Sequence, residues 1–365
     1  MAYSIVVAGG HSAGHIEPAM NVADAIRRLD SSVEITALGT VRGLDTSLIP
    51  ARGYPLELIP PVPLPRRINV DLAKVPFRVR VAVVAVEKVL DRVSADAVVG
   101  FGGYVALPAY LAARKHRIPI IVHEANARPG VANRFAARLT RHVYTASSAV
   151  HLAHAQPIGI PLRPAITDLD RASARPGARK RLGLAPDRLT LLVTGGSQGA
   201  RSLNRAILGA EQAFAAAGIQ VLHIAGDKNP VETPDRSPDQ APYVVLPYLE
   251  TMTEAYAAAD FVLCRSGAIT CAELTAVGLP AAYVPLPLRG GEQGLNARPI
   301  VDAGGGLLVP DAELTTQWVE QNVIAVMTDE RRLAAMSAAA KSSGARDAGT
   351  VLARHILEVV RDRQS

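Results

Sequence analysis

Val6-Val7-Ala8-Gly9-Gly10-His11-Ser12-Ala13-Gly14-His15 is an apolar run that breaks into two glycines and a small hydroxyl residue before a helix. Leu191-Leu192-Val193-Thr194-Gly195-Gly196-Ser197-Gln198-Gly199-Ala200-Arg201 repeats that plan roughly half the chain later. Glycines let a backbone approach an anion closely, and the helix that follows aims unpaired N–H groups at it. One such loop suggests a nucleotide-binding half. Two predict an α/β protein of two Rossmann-like domains separated by a cleft.

The segments around these loops alternate short apolar runs with helical patterns. Strands are expected at 4–8, 34–38, 97–100, 118–123 and 142–145, then at 189–194, 221–225, 243–246, 261–264 and 281–284. Helices such as 18–29 and 107–117 lie between them. Continuous apolar strands alternating with helices are the mark of a parallel sheet covered on both faces. The proline-rich stretch 55–65 reads as a loop. Pro161 and Pro164 prevent a regular element, so the boundary falls there: residues 1–160 form one domain and 161–345 the other. The charged region 165–187 leads into the second domain. The tail from 328 is helical, and its last helix, about 346–365, is expected to cross back onto the first domain.

A length of 365 residues with 49% hydrophobic and 20% charged residues fills two cores without disulfides. Cys264 and Cys271 fit no metal or redox spacing and read as core residues of a reducing compartment. No secretion signal and no run of ~18 apolar residues is visible, so a cytosolic protein is expected. The net charge is +6, and residues 61–92 hold seven basic and three acidic side chains among many apolar ones. That interleaving suits an anionic membrane surface, and it equally suits a solvated helix with a core face. With 4% aromatics and no recognition motif, nucleic acid is a poor partner.

The loops are not dinucleotide fingerprints. The second strand ends Ala37-Leu38-Gly39-Thr40 without the acid that holds a ribose, and neither loop reads G-x-G-x-x-G. No G-K-[ST] marks a P-loop. A dehydrogenase is therefore the weakest reading. Ser197 with Gly196 and Gly199 suits another phosphate, although a tight strand-to-helix turn without ligand has the same sequence. After Ser266-Gly267-Ala268, Glu273 falls in the first turns of a helix. There it can hold a vicinal diol or simply favour the helix dipole. Gln293 and Asn296 carry amides suited to sugar hydroxyls or to helix capping. His11 and His15 lack a third metal ligand, and His15 is the better candidate for a general base. His123-Glu124-Ala125-Asn126 ends a strand, where ligands of open sheets collect. Asp168-Leu169-Asp170 matches the D-x-D of some sugar transferases but lies between domains, and it reads as chance.

Taken in order, these pieces resemble one family. They are Gly10 to His15 with Ile16-Glu17-Pro18, Gly100-Phe101-Gly102-Gly103-Tyr104-Val105, His123 to Asn126, Gly159-Ile160-Pro161-Leu162-Arg163, Gly195 to Ala200, Cys264 to Ala268 with Glu273, and Gln293 with Asn296-Ala297. The set spans nearly the whole chain and is similar to the MurG-type N-acetylglucosaminyltransferases of peptidoglycan synthesis. The resemblance implies a GT-B glycosyltransferase fold. It also implies UDP-N-acetylglucosamine (UDP-GlcNAc) as donor and a membrane-bound undecaprenyl-diphosphate MurNAc-pentapeptide, lipid I, as acceptor. No tightly bound cofactor or metal is implied. Arg163 and Ser197 would face the diphosphate, Leu249 the uracil, and Glu273 the ribose. The backbone of Ala268, Ile269, Thr270, Cys271 and Ala272 would line the nucleotide. Gln293 would touch the sugar, and Asn126 would reach in from the first domain. Ser12, Ala13 and Gly14 would face the sugar and the acceptor diphosphate. His11 stands where the family pattern has glycine, and Ser12 where threonine is commoner.

The implied chemistry is inverting: the acceptor 4-hydroxyl attacks the anomeric carbon and UDP departs. It needs a base, assigned to His15, and positive potential on the leaving group, supplied by Arg163 and the helix after Ser197. The basic-apolar segment 64–81 would hold the protein at the cytoplasmic face of the cell membrane, with other cell-wall synthesis proteins as candidate partners. A transferase with a soluble acceptor, a UDP-GlcNAc epimerase and a non-catalytic binding protein are the rival readings.

Overall fold

The computed structural model describes residues 2–62, 70–196, 198–237, 239–287 and 291–364. The chain divides into two compact units, Met1–Leu162 with Arg346–Ser365, and Arg163–Ala345. In the first unit β1 (Ser4–Gly9), β2 (Glu34–Gly39), β3 (Leu56–Leu58), β4 (Ala97–Gly102), β5 (Ile120–Glu124), β6 (Val143–Thr145) and β7 (Ala155–Pro157) form one parallel sheet. Its order is β3-β2-β1-β4-β5-β6-β7. The second unit repeats the plan with β8 (Thr190–Thr194), β9 (Gln220–Ile224), β10 (Tyr243–Leu246), β11 (Phe261–Cys264), β12 (Ala281–Tyr283) and β13 (Gly306–Leu308), ordered β10-β9-β8-β11-β12-β13. All its pairings are parallel too. Each sheet winds outward from its first strand and then returns to that strand's other side. The crossovers therefore lie at the carboxyl ends of β1 and β4, and of β8 and β11.

Period-two alternation sorts β1 between two cores. Ile5 and Val7 pack with Ile26 of the helix Ala13–Leu29 and with Leu352, Ile356 and Val360 of the helix Ala348–Gln364. Val6 and Ala8 pack on the other side with Val86, Leu90 and Tyr110. In the second unit Leu191, Val193, Phe214, Phe261 and Val323 share one core.

Four expectations need correction. Pro164 does not prevent a regular element: it opens the short helix Pro164–Thr167, where a missing N–H costs nothing. The stretch 55–65 is not all loop, because it contains β3. Ala37 N–H donates to the Pro55 carbonyl and Ile59 N–H to the Gly39 carbonyl, both at 2.9 Å, which draws the segment onto β2. The strands β7 and β13 were also not anticipated; like β3 they are three residues long and lie at sheet edges. The first helix begins at Ala13 rather than Pro18. The Ser12 carbonyl accepts from His15 and Ile16 N–H at 3.0 and 3.1 Å, so the helix is open before Pro18 arrives, and the proline forgoes one backbone bond.

The charged region 165–187 has a physical purpose. Asp170 caps the helix Arg171–Arg181 by accepting from Ala172 and Ser173 N–H, which accounts for half of the chance D-x-D. Arg171, Arg175 and Arg179 lie four residues apart on one face of that helix. Their guanidinium groups donate to the carbonyls of Tyr256, Ala257, Ala258 and Ala259. These are the unpaired carbonyls at the end of the helix Met252–Ala258, where a cation is favoured.

Two buried histidines make acid stability predictable. Burial pushes His123 in the first unit and His223 in the second down to about 4 from 6.5. Between pH 6.5 and 4 the unfolded chain binds protons there that the folded chain refuses. Stability is therefore full above pH 6.5 and is lost as pH falls through that window. Urea unfolding at stepped pH should show this slope, and His123→Gln should reduce it.

Candidate functional site

In the first unit the glycine loop after β1 is held from two sides. His11 adopts φ +78°, the left-handed conformation that glycine favours, so the side chain is accommodated with the loop's backbone path kept. Its N–H donates to Asp45 Oδ1 at 2.6 Å, and Asp45 Oδ2 accepts from Thr40 N–H at 2.8 Å. A single fully buried carboxylate thus ties the ends of β1 and β2 together. The His11 ring lies against Tyr104 with centroids 4.8 Å apart. A Cβ on Gly103 would come within 2.5 Å of the Gly10 carbonyl oxygen, so only glycine lets the β4 loop press onto the β1 loop.

Ser12 and Gly14 are exposed, Ala13 is half-buried, and the Ser12 hydroxyl makes no capping bond. His15 is half-buried, and its Nδ1 is buried without a hydrogen-bond partner among the described residues. Its ring sits against Gly102, where a Cβ would meet His15 Cε1 at 3.1 Å and Asn133 Nδ2 at 3.5 Å. From Asn133 a buried network runs to Asn126. Tyr110 donates to Asn133 Oδ1, and Asn133 Nδ2 donates to Glu124 Oε2 at 2.9 Å. Glu124 Oε1 accepts from the Asn126 N–H at 3.0 Å, and Oε2 accepts from Gly130 N–H at 2.9 Å. Glu124 therefore shapes the loop that presents Asn126. His15, in the first turn of the helix after β1, and the loop after β5 that carries Asn126 both lie at the carboxyl edge of the sheet. His123 is structural: its Nε2 pairs with the Gly159 carbonyl at 2.8 Å.

In the second unit the helices Arg201–Gly209, Ala268–Val277 and Glu292–Asp302 follow the carboxyl ends of β8, β11 and β12. Their N-termini supply positive potential at that edge. Glu273 is buried on the second of these helices, and Tyr256 donates to its Oε2 at 2.8 Å. Arg163 Nη2 lies 3.9 Å from Glu273 Oε1, with the arginine side chain still 45% exposed. Ala268, Ile269, Thr270 and Ala272 are half-buried, whereas Cys271 turns a buried thiol into the core, its ionisation pushed well up by burial. Gln293 Oε1 accepts from Leu286 N–H at 2.9 Å, and Asn296 Nδ2 donates to the Ser266 carbonyl at 3.3 Å. Leu249 is half-buried in the loop after β10. Ser197 lies outside the described residues. Among the described residues no group of three or more His, Cys, Asp or Glu could hold a metal ion.

Sequence reading passed over the groups that hold these residues in place. Asp45 is 34 residues from His11 and Tyr256 is 17 from Glu273. Arg265 follows Cys264 at the end of β11. It donates to Asp311 and to Ser202 Oγ, and so fastens the loop after β11 to the helix after β8. No local pattern announces such long-range partners.

Two family models match the chain. The glycosyltransferase family 28 N-terminal domain covers residues 5–145 and the C-terminal domain covers 190–352. A UDP-N-acetylglucosamine–N-acetylmuramyl-(pentapeptide) pyrophosphoryl-undecaprenol N-acetylglucosamine transferase of Mycobacterium sp. (strain KMS) is 57% identical over 98% of this chain and 96% of its own. Its namesake from Streptomyces coelicolor is 56% identical over 98% of this chain and 99% of its own. The crystal structure of Acinetobacter baumannii MurG superposes with a TM-score of 0.79 at 25% identity, covering 99% of this chain and 100% of that one. A Neisseria meningitidis UDP-GlcNAc 2-epimerase superposes at 0.66 over 97% of this chain and 100% of its own, but with 12% identity, which speaks for the shared fold alone. The chain has the GT-B fold and belongs to glycosyltransferase family 28, among its MurG-type N-acetylglucosamine transferases.

Proposed function

We propose that this chain carries out the reaction of its family with the residues described above: N-acetylglucosamine passes from UDP-GlcNAc to lipid I, giving lipid II. The observation that carries the residue assignment is Glu273, a buried carboxylate fixed by Tyr256 at an edge lined with helix N-termini. Such a group accepts two hydroxyl donors from a ribose without competing for water. Gln293 and Leu249 complete the donor contacts. Arg163 and the helix after β8 take the charge of the departing diphosphate.

Inversion requires the acceptor hydroxyl to attack the anomeric carbon opposite UDP. The new glycosidic bond forms as the bond to the phosphate oxygen breaks, and the hydroxyl proton goes to a base. His15 is the base in this proposal. Gly102 leaves room for its imidazole, and Glu124 presents Asn126 from the neighbouring loop. His15→Ala should lower acceptor-dependent UDP release by 100-fold or more, in the range of general-base losses, while UDP binding measured by calorimetry is retained. Undiminished release would remove His15 from the chemistry.

The acceptor is a membrane lipid, yet among the described residues no helix is long and apolar enough to cross a membrane. We place the protein on the membrane surface through the helix Val70–Arg92. Phe77, Val81 and Val84 are exposed on one face of it, with Arg80 and Lys88 on the same face by helical spacing. Apolar side chains between cations suit the anionic cytoplasmic leaflet. The expected segment 64–81 lies partly outside the described residues. Phe77→Glu should abolish flotation with vesicles containing anionic lipid while leaving UDP binding intact. Unchanged flotation would remove this face as the anchor.

A further inference from the structure

The loop after β9 grips the phosphate loop after β8. A Cβ on Gly199 would sit 2.0 Å from the Ala225 carbonyl oxygen, and one on Gly226 would sit 2.2 Å from Gly199 N. Gly199 and Gly226 have φ of +72° and +91°. The two backbones therefore touch with no room for a side chain. Asn229 closes the contact: its Nδ2 donates to the Gln198 carbonyl at 2.7 Å. Arg201 Nε donates to Asn229 Oδ1 at 3.0 Å, so the amide group has one orientation, with nitrogen toward Gln198.

The β9 loop is in turn anchored from within. Asn204, buried on the helix Arg201–Gly209, donates from Nδ2 to the carbonyls of Ala225 and Asn229 at 3.1 and 3.3 Å. Its Oδ1 then has to accept, and His223 Nε2 lies 3.1 Å away. That leaves His223 Nδ1 as acceptor for the Tyr243 hydroxyl at 3.0 Å. Every donor in this chain of side chains meets an acceptor.

We infer that Asn229 is a positioning residue for the donor diphosphate, acting through the Gln198 carbonyl. A loop that cradles an anion must point its N–H groups inward and its carbonyls away, because a carbonyl dipole facing a phosphate repels it. Asn229 holds one such carbonyl on the far side of the loop by giving it a partner there. Asn204, His223 and Tyr243 fix the backbone from which Asn229 reaches. The role rests on the proposed use of this loop for UDP-GlcNAc.

The test uses the full chain and compares UDP with uridine, which lacks the phosphates. Asn229 is half-buried in a loop, so its variants should fold. Asn229→Ala should weaken UDP binding by calorimetry, and raise the KM for UDP-GlcNAc, about tenfold, the size of one lost hydrogen bond in a binding loop. Asn229→Asp keeps the shape, removes the donor and adds negative charge, so it should lose more. Uridine binding, read by ligand-observed NMR, should stay within about twofold for both. Unchanged UDP affinity, or an equal loss for uridine and UDP, would overturn the positioning role. A wild-type chain that binds uridine but gains nothing from the diphosphate would instead overturn the use of the loop itself.

Discussion

All strands in each sheet run the same way, and the rest of the molecule follows from that constraint. A parallel strand cannot be joined to its neighbour by a tight turn, so the chain crosses back over the sheet, through a helix after most strands and, among the described residues, without one between β6 and β7 or between β9 and β10. Every strand-to-helix loop then falls at one edge, and each helix that directly follows a strand begins there. The first unit gathers the loops of His11, Gly103 and Asn126 at this edge. The second gathers the loops of Gln198 and Ser266 and the start of the helix that carries Gln293. A polar ligand edge is a consequence of strand direction before any particular residue is chosen.

What residue choice adds is rigidity, and buried carboxylates supply much of it. Asp45 joins the ends of β1 and β2, Glu124 shapes the loop after β5, and Glu273 sits in the bonding range of Tyr256. A buried carboxylate is costly unless its lone pairs are met, so each fixes several donors around itself. Asp45 and Glu124 spend their oxygens on loop backbone and amides. Glu273 accepts from the Tyr256 hydroxyl at 2.8 Å and lies 3.9 Å from the Arg163 guanidinium.

The central strands were legible because strands buried on both faces read as unbroken apolar runs, as Val6-Val7-Ala8 and Leu191-Leu192-Val193 do. Of the edge strands β10 was legible, whereas the three-residue strands β3, β7 and β13 were not. Leu56–Leu58 follows a proline and pairs on one side only, and its strand character comes from β2 rather than from its own residues. The glycine loops and Glu273 could be picked out because each sits at a fixed offset from a strand. Asp45, Tyr256, Arg265 and Asn229 could not, because their partners are brought near only by the fold. His11 shows the limit in another direction: it stands where the family pattern has glycine, and only the structure shows that it takes the left-handed backbone and bonds Asp45.

The helix Ala348–Gln364 closes the core of the unit whose other residues end at Leu162. Leu352, Ile356 and Val360 cover strands that emerge from the ribosome far earlier. During synthesis the first unit must wait, with Ile5 and Val7 incompletely covered, while the whole second unit is made. The second unit is contiguous, so its own core can close as soon as its strands are out. Assembly therefore runs against the order of translation: the half made later is completed first, and the first half is the part that depends on shielding until the helix Ala348–Gln364 has emerged.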